Sequence, residues 1–229
     1  MRAEIMKAKI WIFAVLAITV LAFAAVADDP APAGEESAGE KEEAAAGKAE
    51  KSETAAPEVV KFEGPILVTS AGQSVDIKLA GVLLTRLGIE YASNPKAISE
   101  DLKGIKTLIV VPGYSSKGLG SAGISRDDEM KRIETLLASA SKSDIRVLAM
   151  HLGGNARRGV QSDDFNAAVV RASDMAIVVA QGDEDGFFSE ICKEERIPLK
   201  VVKVIADAMK PLEEVIEKHE EAPEKDSAK

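Results

Sequence analysis

The strongest constraint on this chain is a rhythm in its middle. Five short runs, Pro65–Ser70, Lys106–Val111, Arg146–Leu152, Met175–Ala180 and Leu199–Val204, are dominated by Ile, Leu, Val, Met and Ala. Runs that are apolar on both faces are what central parallel strands require. Amphipathic stretches separate them. Ile77, Ala80, Leu84 and Leu87 fall on one helical face, with Gly88 placed to close the helix in a left-handed turn. Ser125, with Asp128 three residues on, is placed to cap a helix whose stripe is Met130, Ile133, Leu137 and Ala140. Ser162 is read as the cap of a third helix, bearing Phe165, Ala168, Val169 and Ala172. Strand then helix, repeated, implies right-handed crossovers and a parallel sheet.

A further short strand near Ile89–Ala92 completes the expectation. It is an α/β domain, a three-layer parallel sheet of five to six strands, flavodoxin-like or Rossmann-like, over residues 62–211. No sequence repeat is visible. The flanks differ in kind. Arg2, Lys7 and Lys9 precede an apolar run from Ile10 to Ala27 that ends on Ala25-Val26-Ala27 and then Asp28-Asp29-Pro30. That is the layout of a secretory signal peptide over residues 1–27, cut after Ala27, and it predicts a secreted or periplasmic protein with no membrane contact after cleavage. An uncleaved anchor is the alternative, since the run reaches the lower limit for spanning a bilayer. Residues 28–61 hold ten acids, four lysines and almost no apolar side chain larger than Ala, so they are expected to be a disordered acidic spacer. Residues 212–229 are read as a charged tail that starts helical.

Charge narrows the partners. The chain carries a formal net charge of −9, yet residues 62–211 hold 20 acids and 19 basic residues. A nearly neutral domain argues against nucleic acid, which needs a basic surplus. Cys192 is the only cysteine and excludes an internal disulfide; beside Ile191 and Phe188 it reads as a buried structural thiol. No metal-ligand spacing is present.

In parallel sheets of this kind, ligands bind at the carboxyl ends of the strands. The polar residues of this chain collect in those loops. After the first strand, Ser70, Gln73 and Ser74 are either ligand donors or helix caps. After the third, Gly118, Gly120 and Gly123 match G-x-G-x-x-G, but six residues too far from the strand for a dinucleotide loop. The segment is read as a flexible flap contributing Ser115. The Gly113-Tyr114-Ser115-Ser116-Lys117 string lacks the second glycine of a hydrolase elbow. The fourth loop is the most pointed: His151, then Gly153-Gly154, then Arg157-Arg158, with Asp163 following. Paired arginines at a strand end suit a carboxylate or phosphate, or pair with Asp163, Asp164 or Asp183. The fifth offers Asp183-Glu184-Asp185, a helix cap or a seat for a cation or amino group.

The strings Thr69-Ser70-Ala71-Gly72-Gln73-Ser74, His151-Leu152-Gly153-Gly154 with Arg157-Arg158-Gly159 and Ser162-Asp163, and Gly182-Asp183-Glu184-Asp185-Gly186-Phe187-Phe188 resemble those of an uncharacterised family of exported bacterial domains, described as a domain of unknown function. The resemblance covers about residues 62–205 and implies that these loops belong together; it carries no activity. The first loop also resembles a flavodoxin phosphate loop, but the aromatic pair that sandwiches a flavin is missing apart from Tyr114, and no cofactor is expected.

The leading expectation is therefore an extracytoplasmic, non-enzymatic domain that binds a small polar or anionic ligand with Ser70, Gln73, Ser74, Ser115, His151, Arg157, Arg158 and Asp183. The alternatives are an envelope hydrolase or transferase, with His151 as base, Ser70 or Ser115 as nucleophile and Arg157 as oxyanion clamp, and a protein-interaction module.

Overall fold

The computed structural model describes residues 60–217. The leader, nearly all of the acidic spacer and the end of the charged tail lie outside the described residues. Six strands are formed: β1 (Ile66–Ala71), β2 (Ala92–Ser93), β3 (Thr107–Pro112), β4 (Arg146–His151), β5 (Met175–Val179) and β6 (Leu199–Val202). All pair in parallel, in the order β2-β1-β3-β4-β5-β6. The helices are α1 (Ile77–Arg86), α2 (Ser116–Ala122), α3 (Arg126–Lys142), α4 (Val160–Arg171), α5 (Phe187–Glu195) and α6 (Met209–Val215).

Both faces of the four inner strands, β1, β3, β4 and β5, are covered, which is why these strands read as mostly apolar, while the edge strands β2 and β6 are largely exposed. Alternate residues divide between two cores. Ile66, Val68, Ile109, Val111, Leu148, Met150 and Ile177 pack against α1 and α6. Leu67, Leu108, Val110, Val147, Ala149, Ala176 and Val178 pack against α3, α4 and α5. The chain winds one way from β1 and the other way from β3. The β1/β3 boundary is therefore the topological switch point of the sheet.

Several local expectations hold. Ser125 caps α3: its Oγ accepts from the Asp128 N–H at 3.1 Å and donates to Asp128 Oδ2 at 2.7 Å. Gly88 closes the turn after α1 at φ +68°. Cys192 is buried, and desolvation, with help from the charge of Asp183, pushes its thiol up to about 11.

Others are corrected. The flap is a helix. Ser115 caps α2 by accepting from Gly118 N–H at 3.1 Å, and Gly123 ends it at φ +69°. Gly118 is required for space: a Cβ there would collide with the Gln73 backbone. The expected cap of α4, Ser162, lies inside its first turn and accepts from Tyr114 N–H at 3.2 Å; the helix instead follows Gly159, at φ +97°. Strand β2 comes later than expected because Ile89 is drawn into the core. The boundary at 211 falls inside α6. Pro211 stands in the first turn of that helix, where a missing N–H costs nothing. The helix buries Leu212 and Val215, and Ile216 pairs with Phe62.

Candidate functional site

The carboxyl ends of β1, β3, β4 and β5 bring together four loops far apart in sequence. The first, Ser70–Asp76, is tightly shaped. Gly72 has φ +96° and Gln73 φ +58°, unusual for a residue with a side chain. A Cβ at Gly72 would strike the backbone of Gly113 and Tyr114, so the β1 and β3 loops touch main chain to main chain. Gly113 N–H donates to Ala71 O at 2.8 Å, and Ser115 N–H to Gly72 O at 2.8 Å.

Arg157 joins the fourth loop to the first. Its Nε donates to Ser74 Oγ and to Asp76 Oδ2, each at 2.9 Å. The stem lies across Gly113 and Gly153, where added Cβ atoms would collide with it. The outer guanidinium nitrogens are less engaged. Nη1 reaches Tyr114 O only at 3.5 Å, and Nη2 has no hydrogen-bond partner among the described residues.

Arg158 turns the other way, to the fifth loop. Its Nε meets Asp163 Oδ1 at 2.8 Å, and Nη1 and Nη2 meet Asp185 at 2.9 Å each. Nη1 also donates to Gly182 O, and the plane stacks 4.4 Å from the Phe187 ring centre. The hydrogen bonds to Asp185, ahead of those to Asp163, raise its pKa further, and Asp185 falls to about 2 by the same contact. Arg158 is a saturated clamp, and the expectation that it faces a ligand beside Ser70 is corrected: Asp163 in the first turn of α4 and Asp185 in the fifth loop engage all three of its guanidinium nitrogens.

The remaining candidates are placed as follows. His151 is buried, beneath the turn at 154–157 and 4.6 Å from the Phe188 ring centre. Its Nε2 lies 3.2 Å from Gly154 O. Desolvation lowers its pKa to about 4, aided by the charge of Arg158 and opposed by the Gly154 hydrogen bond and the Asn166 side chain. Its Nδ1 and Asn166 Oδ1 are both buried without a hydrogen-bond partner among the described residues. Ser70 is buried and bonded to Ser74 O at 3.5 Å. Ser115 caps α2. Gln73 points its amide at Glu129 Oε1 (3.0 Å) and Pro95 O (2.9 Å). Asp183 caps α5, taking the N–H groups of Phe188 (2.7 Å) and Ser189 (3.1 Å). Among the described residues, neither Ser70 nor Ser115 hydrogen-bonds His151: Ser70 bonds Ser74 O, and Ser115 caps α2.

Sequence reasoning missed Asp76, Glu129, Arg132 and Asn166. Glu129 is wholly buried and accepts from Gly72 N–H at 2.9 Å, besides Gln73. Arg132 pairs with it at 2.7 Å and donates to Ser70 O and Ala97 O, each at 2.6 Å. Acids and bases in the first turns of an amphipathic helix look like a solvated face; only the unpaired backbone of a strained neighbouring loop would have betrayed them. No group of three or more possible metal ligands occurs among the described residues. A separate cleft of about 490 Å³ opens at the opposite edge of the sheet, lined by Lys61, Glu63, Lys106, Asp144 and Arg146, and holds none of the candidates.

A doubly wound α/β domain with polar loops gathered at its switch point is thus the class of protein defined. The profile of a family described as a domain of unknown function (DUF6305) matches residues 63–216, and the chain belongs to that family. A search of curated proteins gives no match. Among solved structures, a psychrotrophic esterase, EstA, from Pseudoalteromonas sp. is 10% identical, covering 62% of this chain and 78% of that one, at a TM-score of 0.29. A putative acylhydrolase from Bacteroides fragilis is 10% identical over 63% and 71%, at 0.29. A GDP-L-fucose synthetase from Naegleria fowleri, bound to NADP, is 7% identical over 64% and 51%, at 0.29. Likenesses at these scores carry no argument about activity.

Proposed function

We propose that this is an extracytoplasmic, non-enzymatic domain that binds a small anionic ligand at the carboxyl edge of its sheet, against the outer edge of the Arg157 guanidinium. One observation carries the reading. Nε of Arg157 is fixed by Asp76 and Ser74, while Nη1 and Nη2 are left nearly unspent. An arginine oriented through one nitrogen keeps a forked pair of donors for an oxyanion. Its side chain is 23% exposed, enough for an anion to reach it. The reading narrows the ligand contact to Arg157, which Ser74 and Asp76 orient.

The test is calorimetry and thermal shift on the mature protein against inorganic phosphate, sulfate, small carboxylic acids and sugar phosphates. One class should bind. Arg157→Ala should then weaken it about ten- to a hundredfold, the equivalent of roughly 1.5–3 kcal/mol for a charge-assisted hydrogen bond. Binding unchanged in that variant would overturn the reading. Turnover of an activated ester, lost in His151→Ala, would replace it with the hydrolase. No shift from any small anion would leave a protein partner.

A further inference from the structure

We infer that Glu129 and Arg132 are positioning residues for the anion seat: this buried ion pair holds the Ser70–Asp76 loop in the one conformation that aims Ser74 and Asp76 at Arg157. The inference rests on the proposed binding reading. The pair comes from α3, which packs behind β1 and β3, and neither residue touches Arg157. The pair's four outward links run to the carboxyl end of β1 and the loops beside it: Ser70, Gly72, Gln73 and Ala97. Glu129 takes the Gly72 N–H and the Gln73 amide. Arg132 takes the carbonyls of Ser70 and Ala97. The Gln73 amide extends the brace to Pro95 O.

Two physical facts make fold stability an inadequate explanation. A buried ion pair is often no better for stability than well-packed apolar residues of the same volume, because desolvating both charges offsets their attraction. The loop it grips is also strained. Gln73 adopts a left-handed conformation, and Gly72 sits where no Cβ fits. Such a conformation persists only where its surroundings over-determine it. Glu129, with no exposure at all, supplies that determination from beneath. The consequence appears two residues on: Ser74 Oγ accepts from both Asp76 N–H at 3.1 Å and Arg157 Nε at 2.9 Å. A relaxed loop would release Ser74 and Asp76, and with them the orientation of Arg157.

Three variants test this, each read by phosphate calorimetry, thermal unfolding, and hydrogen exchange at the Gly72, Gln73 and Ser74 amides. Glu129→Met with Arg132→Met removes both charges together and leaves none buried alone. It should keep its unfolding temperature within a few degrees, lose amide protection in the loop, and weaken phosphate binding about tenfold or more. Glu129→Gln keeps the acceptor for Gly72 but weakens the pair. It should unfold earlier yet bind within about threefold of the natural chain, so affinity and stability move in opposite senses across the two. Gln73→Asn guards against a double variant that fails to fold. Asn tolerates the left-handed conformation but is too short to reach Glu129, and it should raise loop exchange and weaken phosphate several-fold. Affinity that simply follows unfolding temperature, or unchanged exchange in the double variant and in Gln73→Asn, would overturn the positioning role. If the natural chain binds neither phosphate nor any of the other small anions, the binding reading fails on its own, and the exchange data still decide whether the pair holds the loop.

Discussion

At the scale of single residues, the two neighbouring arginines have different duties, and their variants should separate them. Arg158 is nearly enclosed between two carboxylates, a carbonyl and an aromatic face. Arg158→Ala should therefore cost about 1–2 kcal/mol in chemical denaturation, from leaving the half-buried Asp163 and the Gly182 carbonyl unsatisfied, while the exposed Asp185 is rehydrated. Arg157→Ala should cost less in stability and more in affinity. Equal stability losses would show both to be clamps. His151 sets a pH dependence of known sign. Its folded pKa of about 4 lies below the ordinary 6.5, because burial disfavours the imidazolium. The unfolded chain thus binds the proton more readily, and stability is full above pH 6.5 and falls as the pH drops toward 4. The contribution at stake is about 3 kcal/mol, with a slope approaching 1.4 kcal/mol per pH unit. Asp185 titrates lower still and enters only below pH 4. Denaturation at pH 7, 6, 5 and 4 should show this slope, and His151→Gln should flatten it. A slope retained by the variant would assign the proton elsewhere.

At the scale of elements, the ends of the domain are the sharpest case. A stop after Pro211 deletes Leu212, Val215 and Ile216, all buried, and the pairing of Ile216 with Phe62. At roughly 1.5–3 kcal/mol per buried apolar side chain, the loss is about 5 kcal/mol or more, comparable to the whole stability of a small domain. The truncated chain should be unfolded or degraded by circular dichroism and proteolysis, and a chain stopped after Glu217 should match the full length. A folded chain ending at Pro211 would show α6 to be dispensable. The same element shows where sequence reading stops. Strands β1, β3, β4 and β5 were legible because burial on both faces demands apolar residues at every position. Helices α1 and α3 were legible from their stripes and from Ser125. A helix at the start of the tail was expected, but Pro211 concealed that α6 begins at Met209 and belongs to the domain, because a proline in a first turn and a proline that ends a helix are the same letter. Glycines concealed α2, since Gly118 answers to the proximity of Gln73, a contact made across the fold. The loops of the site were legible as places. The partner of each arginine was not: Asp76, Asp163 and Asp185 compete on equal terms in sequence, and only the winding of the sheet decides between them.

At the scale of the whole molecule, the domain has two distinct ends. Phe62 N–H donates to Val215 O at 2.9 Å and Glu217 N–H to Phe62 O at 2.8 Å, so the chain enters and leaves beside the amino ends of the strands. Arg157 and its neighbours occupy the carboxyl ends. A strand of six residues at about 3.3 Å each puts roughly 20 Å between the two edges. That exceeds a Debye length of about 8 Å at physiological salt, so charges at the amino-end edge, such as Lys61 and Lys106, are largely screened from Arg157. If the leader directs export, its removal belongs at the Ala25-Val26-Ala27 box, and N-terminal sequencing of protein from the envelope should begin at Asp28. Ala27→Arg puts a large charged side chain where cleavage needs a small one. This variant should retain Met1 and stay with the membrane fraction, yet bind the same anion with unchanged affinity, because Val60, where the described residues begin, lies at the edge opposite Arg157. Intact Met1 in the natural mature pool would make the protein a membrane-anchored one. An affinity altered in Ala27→Arg would show that what precedes Val60 reaches the site after all.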